Sequence, residues 1–433
     1  MKTILLGLNE LNLEYIKYYS NKGLLPNFKK LFDDFELVET DSENKYELLE
    51  PWIQWATIHT GKTYDEHNIF RLGDIVNSSE TQIFENLESK GLSVGAVSPF
   101  NAKNNLTRPK FFIPDPWTKT KVSGNWIVKS IYQAIHQSVN DNASGRLGFK
   151  TIFSLLLGLI ITTPIRQYFW YLKMLKNRKN PGVKAIVLDS LLANTFFWLL
   201  KFKKPDFSNL FLNVGAHIQH HYLFNSQAYD GNLENPDWYC PKDHDPLILI
   251  LSLYDKIIGK LLDSSLRLVV ATGLHQQPHR HLTFYWRINK HEDFIKRIGI
   301  DDYEEILPRM SRDFLINFKN SDSALKAEKL LNSFFLERDN EKVFKIDNRG
   351  NSLFIELIYP NEIFDNDVLI SSEFKSKVKN FKSLISFVAI KNGEHNGIGY
   401  FLYSKKDYKK QLNSKIQLKQ VRNIIEDIAL VQR

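Results

Sequence analysis

Three histidines that could bind a metal or transfer protons lie within five residues of one another, at His217, His220 and His221. They follow a short apolar run at 209–214, which is typical of a buried strand. Imidazole is the commonest metal ligand in proteins and titrates near neutral pH. Because ligands bind beyond the carboxyl ends of the strands in an open α/β sheet, this cluster predicts a functional site. The alternative is that these are loop histidines that hydrogen-bond to the backbone.

Two later segments repeat this arrangement of an apolar run followed by histidine. The run at 266–272 leads to His275, and the run at 386–390 leads to His395. The carboxyl ends of parallel strands meet at one edge of a sheet. We therefore expect histidines from three separate segments to share one site.

The elements that must position these residues alternate between strands and helices. Apolar runs at 3–8 and 93–97 are typical of strands buried on both faces, as in a parallel sheet. Helical patterns accompany them, including those at 80–90 and 246–262. This alternation predicts an α/β protein with a doubly wound, mostly parallel sheet.

The composition is globular, with 433 residues of which 43% are hydrophobic and 24% charged. The net charge of +8 is spread along the chain. It favours an anionic small molecule or a membrane surface as partner over specific nucleic-acid binding. A single cysteine, Cys240, excludes an intrachain disulfide and fits a reducing compartment. The run at 3–8 is too short for a signal-peptide core, so we expect a cytoplasmic protein.

Residues 118–205 interrupt the alternation with basic, helical patterns. Within them, 147–165 contain one charged residue, Lys150, and come close to the roughly 20 apolar residues of a membrane span. A buried helix of an inserted helical subdomain is the preferred interpretation, and membrane insertion or interfacial docking is the alternative. The basic flank at 166–184 suits anionic lipid headgroups, so association of 147–184 with the inner face of a membrane stays open.

Four short motifs, taken in order, resemble a known family. They are a strand with a polar loop at Gly7-Leu8-Asn9, a G-x-LPN turn at 23–27, a W-x4-TG-x5-H segment at 55–67 and a late G-x-H-x3-G at 393–399. Their order resembles the alkaline phosphatase superfamily, especially its type I phosphodiesterase and nucleotide pyrophosphatase branch. The resemblance covers 1–115 and 205–275, together with the tail near His395.

The resemblance implies an alkaline-phosphatase-like three-layer α/β/α sandwich with a mostly parallel sheet and a helical insertion. The implied divisions are a first part of this domain at 1–117, the insertion at 118–205, and the remainder at 206–433 with a mixed α/β segment near 282–380.

The family's usual site holds two divalent metals on Asp and His side chains, beside a Ser or Thr nucleophile. By position, the histidines of that site correspond here to His220, His275 and His395. A shift of one residue would instead pair His217 with His221, so both alignments of that motif stay open.

The acidic residues of that site are replaced. Asn9, Ala216 and Leu274 stand where the family has Asp, and the nucleophile position falls at Glu50-Pro51, which has no hydroxyl. Carboxylates offset the charge of paired cations and supply hard oxygen ligands, so their loss argues against a two-metal site.

A single-metal site remains compatible with the sequence. Three imidazoles and a water molecule form a recognised zinc site. The nearest carboxylates that could join it are Glu10 and Glu50, and Asn9 offers an amide oxygen. The sequence therefore predicts one divalent metal, such as zinc, or a metal-free site.

Two further residues have competing interpretations. Glu50 is a candidate ligand or general base, and it could instead neutralise a helix N-terminus. Thr57 is a candidate surrogate nucleophile, although such residues more often pack inside a helix.

These observations predict a divergent enzyme that acts on a phosphate, phosphodiester or sulfate ester through His217, His220, His275 and His395. A glycan or lipid-linked glycan is the expected substrate, on the basis of aromatic loops and the apolar, basic insertion. One alternative is an inactive member that binds an anionic ligand or partner in a vestigial site. Another is a membrane-associated assembly factor.

Overall fold

The computed structural model describes residues 2–140, 149–308, 312–371, 373–374 and 376–431. The chain forms two compact units, one of Met1–Pro278 with Gly393–Arg433 and one of His279–Asn392.

The strands of the described residues run in chain order from β1 to β17. They are β1 Thr3–Leu8, β2 Glu36–Asp41, β3 Val94–Val97, β4 Phe111–Ile113, β5 Phe207–Leu212, β6 Arg267–Ala271, β7 His275–Ile288, β8 Glu305–Pro308, β9 Asp313–Asn317, β10 Phe334–Leu336, β11 Phe344–Asn348, β12 Ser352–Leu357, β13 Leu369–Ser371, β14 Lys377–Val378, β15 Ile385–Asn396, β16 Ile398–Tyr403 and β17 Lys415–Gln417.

The helices are numbered in the same way. They are α1 Leu13–Asn21, α2 Pro26–Asp34, α3 Pro51–Thr60, α4 Tyr64–His67, α5 Ile83–Ser89, α6 Trp126–Asn140, α7 Phe149–Thr162, α8 Tyr168–Lys176, α9 Val183–Lys203, α10 Val214–Tyr222, α11 Pro246–Leu262, α12 His291–Arg297, α13 Ser321–Asn332 and α14 Gln420–Leu430.

An eight-stranded sheet forms the centre of the larger unit, in the order β17-β2-β16-β6-β1-β5-β3-β4. Strand β1 pairs in parallel with β5 and β6, and β16 is antiparallel to both of its neighbours. All six residues of β1 are buried. The predicted α/β class with a mostly parallel sheet is confirmed.

The sheet is covered on both faces. Successive side chains of a strand point to opposite faces. Leu6 and Leu8 accordingly pack in one hydrophobic core with α1, α9 and α11, whereas Leu5 packs in a second core with Trp55 of α3. These two cores make the larger unit a three-layer α/β/α arrangement.

Parallel register brings three chain segments to one edge of this sheet. Leu8 pairs with Leu212, and Gly7 pairs with Ala271. The residues that follow β1, β5 and β6 therefore emerge side by side, as the sequence predicts for a ligand site.

The segment 118–205 contains α6 to α9. Helix α9 is long and apolar enough to cross a membrane by length and composition alone, but 61% of its most apolar window is buried inside the protein. Its residues Leu191 and Phe196 lie in the main core with Leu210 of the sheet. A core helix of a globular protein passes the same test.

The smaller unit contains a four-stranded antiparallel sheet, β11-β12-β9-β8, and a three-stranded sheet, β10-β13-β14. Helix α13 carries an Asn320 N-cap whose side chain accepts a hydrogen bond from the backbone N–H of Ser323.

The three segments that carry the candidate histidines are regular. Residues 214–222 form α10, and the strand predicted at 209–214 ends at Leu212. Residues 275–281 lie in β7, and 392–396 lie in β15. Histidine and glycine have weak local preferences, so tertiary context decided these segments.

The single thiol, Cys240, is fully buried. Burial, together with the charges of Asp245 and Asp243, raises its pKa to about 12. The thiol is therefore protonated and unreactive at neutral pH.

Candidate metal centre

Three side chains from distant parts of the chain converge at the edge of the sheet. They are Glu10 after β1, His220 on α10 and His395 on β15, and their ligand atoms all lie within 4.8 Å of one another. The Nε2 atoms of His220 and His395 lie 3.0 and 3.1 Å from Oε2 of Glu10. The two Nε2 atoms are 3.3 Å apart.

Glu10 adopts an unusual backbone conformation. Its φ of +56° lies in the left-handed region, which costs a residue with a Cβ about 1–2 kcal/mol. Its backbone N–H donates to the carbonyl of Thr272, and its carbonyl accepts from the N–H of Gln276. These bonds hold the turn that carries the carboxylate away from the end of β1.

Two amide side chains fix the buried carboxylate of Glu10. Asn9 Nδ2 donates to Oε1 at 2.8 Å, and Gln276 Nε2 donates to Oε2 at 2.6 Å. Gln219 adds a bond from its Nε2 to the Glu10 carbonyl at 3.0 Å. The carboxylate is thus oriented by neutral donors before any cation binds.

The Asn9 side chain links Glu10 to α3 and to the residue after β5 by hydrogen bonds. Its Oδ1 accepts from Trp55 Nε1 at 2.8 Å, while its Nδ2 also donates to Asn213 Oδ1 at 2.7 Å. Both ends of the amide are therefore engaged within the protein, and the residue is 1% exposed.

Each site histidine has an acceptor facing its other ring nitrogen. Nδ1 of His220 lies 3.3 Å from the Gly393 carbonyl, and Nδ1 of His395 lies 3.8 Å from Glu50 Oε2. Gly393 also leaves room for the Gln276 side chain, because a Cβ there would lie 2.2 Å from Gln276 Oε1.

The charge balance of the site favours an ionised carboxylate. Burial alone would raise the pKa of Glu10, but the imidazoles of His395 and His220 outweigh it and hold that pKa well below its usual range. The site therefore holds a buried negative charge beside two imidazole rings.

The donor set fits a small divalent cation. Tetrahedral zinc with ligand bonds near 2.0–2.1 Å has ligand atoms about 3.3 Å apart. The three edges here are 3.0, 3.1 and 3.3 Å. Two imidazoles and one carboxylate, with a further position for water or substrate, are the ligands of known catalytic zinc sites.

His217 and His221 lie outside this group of ligand atoms. They are one helical turn apart, with ring centroids separated by 4.8 Å, and His217 is exposed. Around the helix axis His217 is offset from His220 by about 60° and His221 by about 100°, and His220 is the residue of α10 whose ring reaches Glu10.

The remaining sequence candidates lie outside the triad. Nδ1 of His275 lies 2.6 Å from the Ile398 carbonyl, and its ring stacks on Tyr400. Burial lowers the pKa of His275. Thr57 is buried in α3, with Oγ1 3.2 Å from His67 Nε2.

Sequence reasoning missed Gln219, Gln276 and the Trp55–Asn9 bond. A glutamine directly after a candidate ligand, as in His275-Gln276, was the available signal. The structure gives Gln276 a role, because its side chain is buried and donates a hydrogen bond to the carboxylate of Glu10.

No protein-family model matches the chain, and no curated protein matches it in sequence. Among solved structures, it is similar to a phosphonoacetate hydrolase from Sinorhizobium meliloti 1021, at 11% identity and a TM-score of 0.42, with 99% of this chain and 96% of that chain covered. Human ectonucleotide pyrophosphatase/phosphodiesterase 5 aligns at 10% identity and a TM-score of 0.46, with 100% and 96% covered. A mutant of TAB5 alkaline phosphatase aligns at 11% identity and a TM-score of 0.39, with 100% and 98% covered.

Proposed function

We propose that this chain is a divergent alkaline-phosphatase-superfamily hydrolase with a single divalent metal on Glu10, His220 and His395. Its substrate would be a phosphate, phosphodiester or sulfate ester. The observation that carries the proposal is the convergence of one carboxylate oxygen and two imidazole nitrogens on a triangle with edges of 3.0 to 3.3 Å.

This arrangement calls for a cation. When Nδ1 faces an acceptor, the ring proton belongs on Nδ1 and Nε2 presents a lone pair. His220 has such an acceptor in the Gly393 carbonyl at 3.3 Å, whereas Glu50 Oε2 lies 3.8 Å from Nδ1 of His395, which is longer than a hydrogen bond. With both Nε2 atoms deprotonated, three lone pairs would face one another, and a cation between them would relieve the repulsion. Outer partners of this kind are what orient metal-binding histidines.

A divalent ion in this position would act as a Lewis acid toward an ester oxygen. Glu50 is the residue suited to the proton transfer. It immediately precedes α3, is partly exposed and lies beside His395. In the proposed reaction Glu50 accepts the proton of an attacking water molecule, and the leaving group departs on the opposite side and takes a proton from solvent.

The chain offers no hydroxyl at the family's nucleophile position, which is Glu50-Pro51. Thr57 pairs with His67 inside α3 and α4. Water would therefore attack the ester directly, without a covalent intermediate on the protein.

An aromatic surface continues from the histidines and suits a glycan portion of the substrate. The ring of His221 lies 6.3 Å from that of Tyr222, which stacks on Tyr239 at 5.2 Å. Trp238 follows and is 57% exposed. Tyr222 and Tyr239 are half-buried, and the exposed Trp238 ring beside them could pack against a sugar face, which supports a glycan ester as substrate.

A second candidate function is metal-dependent binding of an anionic ligand or partner without turnover. It is favoured by the neutral residues Asn9, Ala216 and Leu274, because they leave no carboxylates for a second metal. Ala216 and Leu274 are buried and have no ligand atom in their side chains.

Elemental mass spectrometry of the purified protein tests the metal site. We expect about one zinc, manganese or iron per chain, lost in His220→Ala and His395→Ala. His281→Ala, an exposed histidine of the smaller unit, is the matched control and should retain the metal. A folded wild-type chain that binds no metal after soaking would refute the proposal.

Turnover is then measured on p-nitrophenyl phosphate, bis-p-nitrophenyl phosphate and p-nitrophenyl sulfate. Metal-dependent hydrolysis of any of them supports the hydrolase. A metal-loaded protein that binds phosphate or sulfate without cleaving these esters supports the second candidate.

A further inference from the structure

One stretch of the helical layer is uniformly basic. Residues 149–188 contain seven Lys or Arg and no Asp or Glu. Arg166, Lys173, Lys176, Arg178 and Lys179 are all exposed. A run of one charge sign on a folded surface is suited to an anionic partner.

The same stretch exposes large apolar side chains at helical spacing. Ile165, Phe169 and Leu172 follow one another at intervals of four and three residues, and they are 81%, 82% and 61% exposed. Helix α7 continues the pattern with exposed Phe153 and Ile160. Soluble proteins rarely leave such contiguous apolar surface uncovered.

A cationic groove borders this apolar stripe. It is a cavity of about 440 Å³ between α8, α9 and α11. Its lining includes Arg166, Lys173, Lys256 and Lys260, and none of the four has a carboxylate within 4.0 Å among the residues that the structure describes. Burial and the charge of Arg166 lower the pKa of Lys260.

Apolar side chains also line the groove. They are Trp170, Met174, Phe197 and Leu253, beside the buried polar residues Ser190 and Asn194. Lys260 lies over the Phe197 ring, with Nζ 4.7 Å from the centroid. Positive charges beside apolar side chains are complementary to an anionic headgroup that carries a hydrocarbon chain.

We propose that α7 and α8 dock onto an anionic lipid bilayer, with a lipid phosphate held between Arg166, Lys173, Lys256 and Lys260. The apolar stripe enters the headgroup region, and the basic residues meet the lipid charge. This combination is the physical basis of interfacial helices. The anionic cytoplasmic leaflet provides such a surface.

The chain docks without spanning the bilayer. Helix α9 is needed in the core, where Asp189 accepts hydrogen bonds from the Val214 N–H and from the Tyr254 hydroxyl. The docking surface does not depend on the proposed metal site, since it shares none of its residues.

Vesicle flotation of the full chain tests the proposal. We expect the protein to float with vesicles containing phosphatidylglycerol and to remain unbound with phosphatidylcholine alone. Phe169→Ser with Leu172→Ser should weaken partition more than about tenfold, because two inserted side chains are lost. Lys173→Gln with Lys256→Gln should weaken it about 25-fold, at about fivefold per charge.

Matched controls come from the smaller unit. Leu325→Ser with Phe364→Ser replaces the same pair of residue types at exposed positions, which are 46% and 49% exposed, and Lys326→Gln with Lys329→Gln removes two exposed charges of α13. Both controls should float as the wild type does. Melting temperatures of all variants check that the fold is kept.

Three outcomes would overturn the inference. One is no flotation with anionic vesicles, and another is equal loss in the control variants. The third is binding of inorganic phosphate that is lost in Lys173→Gln with Lys256→Gln, together with no flotation. That result would assign the groove to a soluble anion.

Discussion

Replacing Asn9 by aspartate restores the carboxylate that the family resemblance implies, and its effect can be worked out from the structure. Asn9 Nδ2 donates to Glu10 Oε1 at 2.8 Å and to Asn213 Oδ1 at 2.7 Å. Asn9→Asp turns both donors into an acceptor. A new buried charge would then face the carboxylate of Glu10.

The magnitude has two parts. Two lost hydrogen bonds cost about 1–1.5 kcal/mol each. Like charges at this separation repel by about 6 kcal/mol at an effective dielectric constant of 20, which proton uptake and local relaxation reduce. We therefore expect Asn9→Asp to lower the stability of the metal-free protein by about 3–5 kcal/mol.

Calorimetric melting with a chelator and with zinc provides the assay. Asn9→Ala, which removes both donor bonds and the acceptor of Trp55 Nε1 without adding charge, is the control and should cost about 3 kcal/mol for three lost hydrogen bonds. Zinc should raise the melting temperature of Asn9→Asp more than that of the wild type or of Asn9→Ala, because a cation offsets the extra carboxylate. The reasoning is refuted if zinc raises the melting temperature of Asn9→Asp by no more than that of Asn9→Ala.

Three other predictions address the reaction and the acid stability. Glu50→Gln should retain the metal by elemental analysis and lose about 10²–10⁴-fold in kcat, because it removes the general base. Hydrolysis of a chiral phosphorothioate ester should invert the configuration at phosphorus, since one direct displacement by water inverts it, and retention would require a protein nucleophile. His59 is fully buried, and burial lowers its pKa to about 3. Below the unfolded-state pKa of about 6.5, the unfolded chain binds a proton at this histidine and the folded chain does not, so the free energy of unfolding falls as the pH falls. Between pH 6.5 and 5 the wild type should therefore lose about 2 kcal/mol more unfolding free energy than His59→Leu, as measured by calorimetric melting.

Patterns of neighbouring residues were sufficient to predict strands of the central sheet and helices that pack on it. The strand 3–8 and the helix 246–262 have the bounds predicted from their apolar patterns. Gly61 ends α3 in the left-handed conformation expected of a helix C-cap, with φ of +70°. Each of these depends on neighbours within a few residues.

The geometry of the site depends on distant contacts and could be predicted only in part. Glu10, His220 and His395 were among the candidates, but they are separated by about 200 residues along the chain, and no periodicity reports their convergence. The sequence patterns did not predict the helix at 214–222, so they could not show which of the three clustered histidines faces Glu10. Gln276 was not considered, because glutamine is common and its burial arises only in the folded chain.

The buried thiol of Cys240 has a practical consequence for spectroscopy. Because its pKa is about 12 and its side chain is inaccessible, it will not compete for maleimide or nitroxide reagents at neutral pH. A cysteine introduced on the surface of α8, for example by Leu172→Cys, can therefore be labelled selectively in the otherwise natural sequence. An environment-sensitive fluorophore there would report the depth of the helix in a bilayer, without a cysteine-free background.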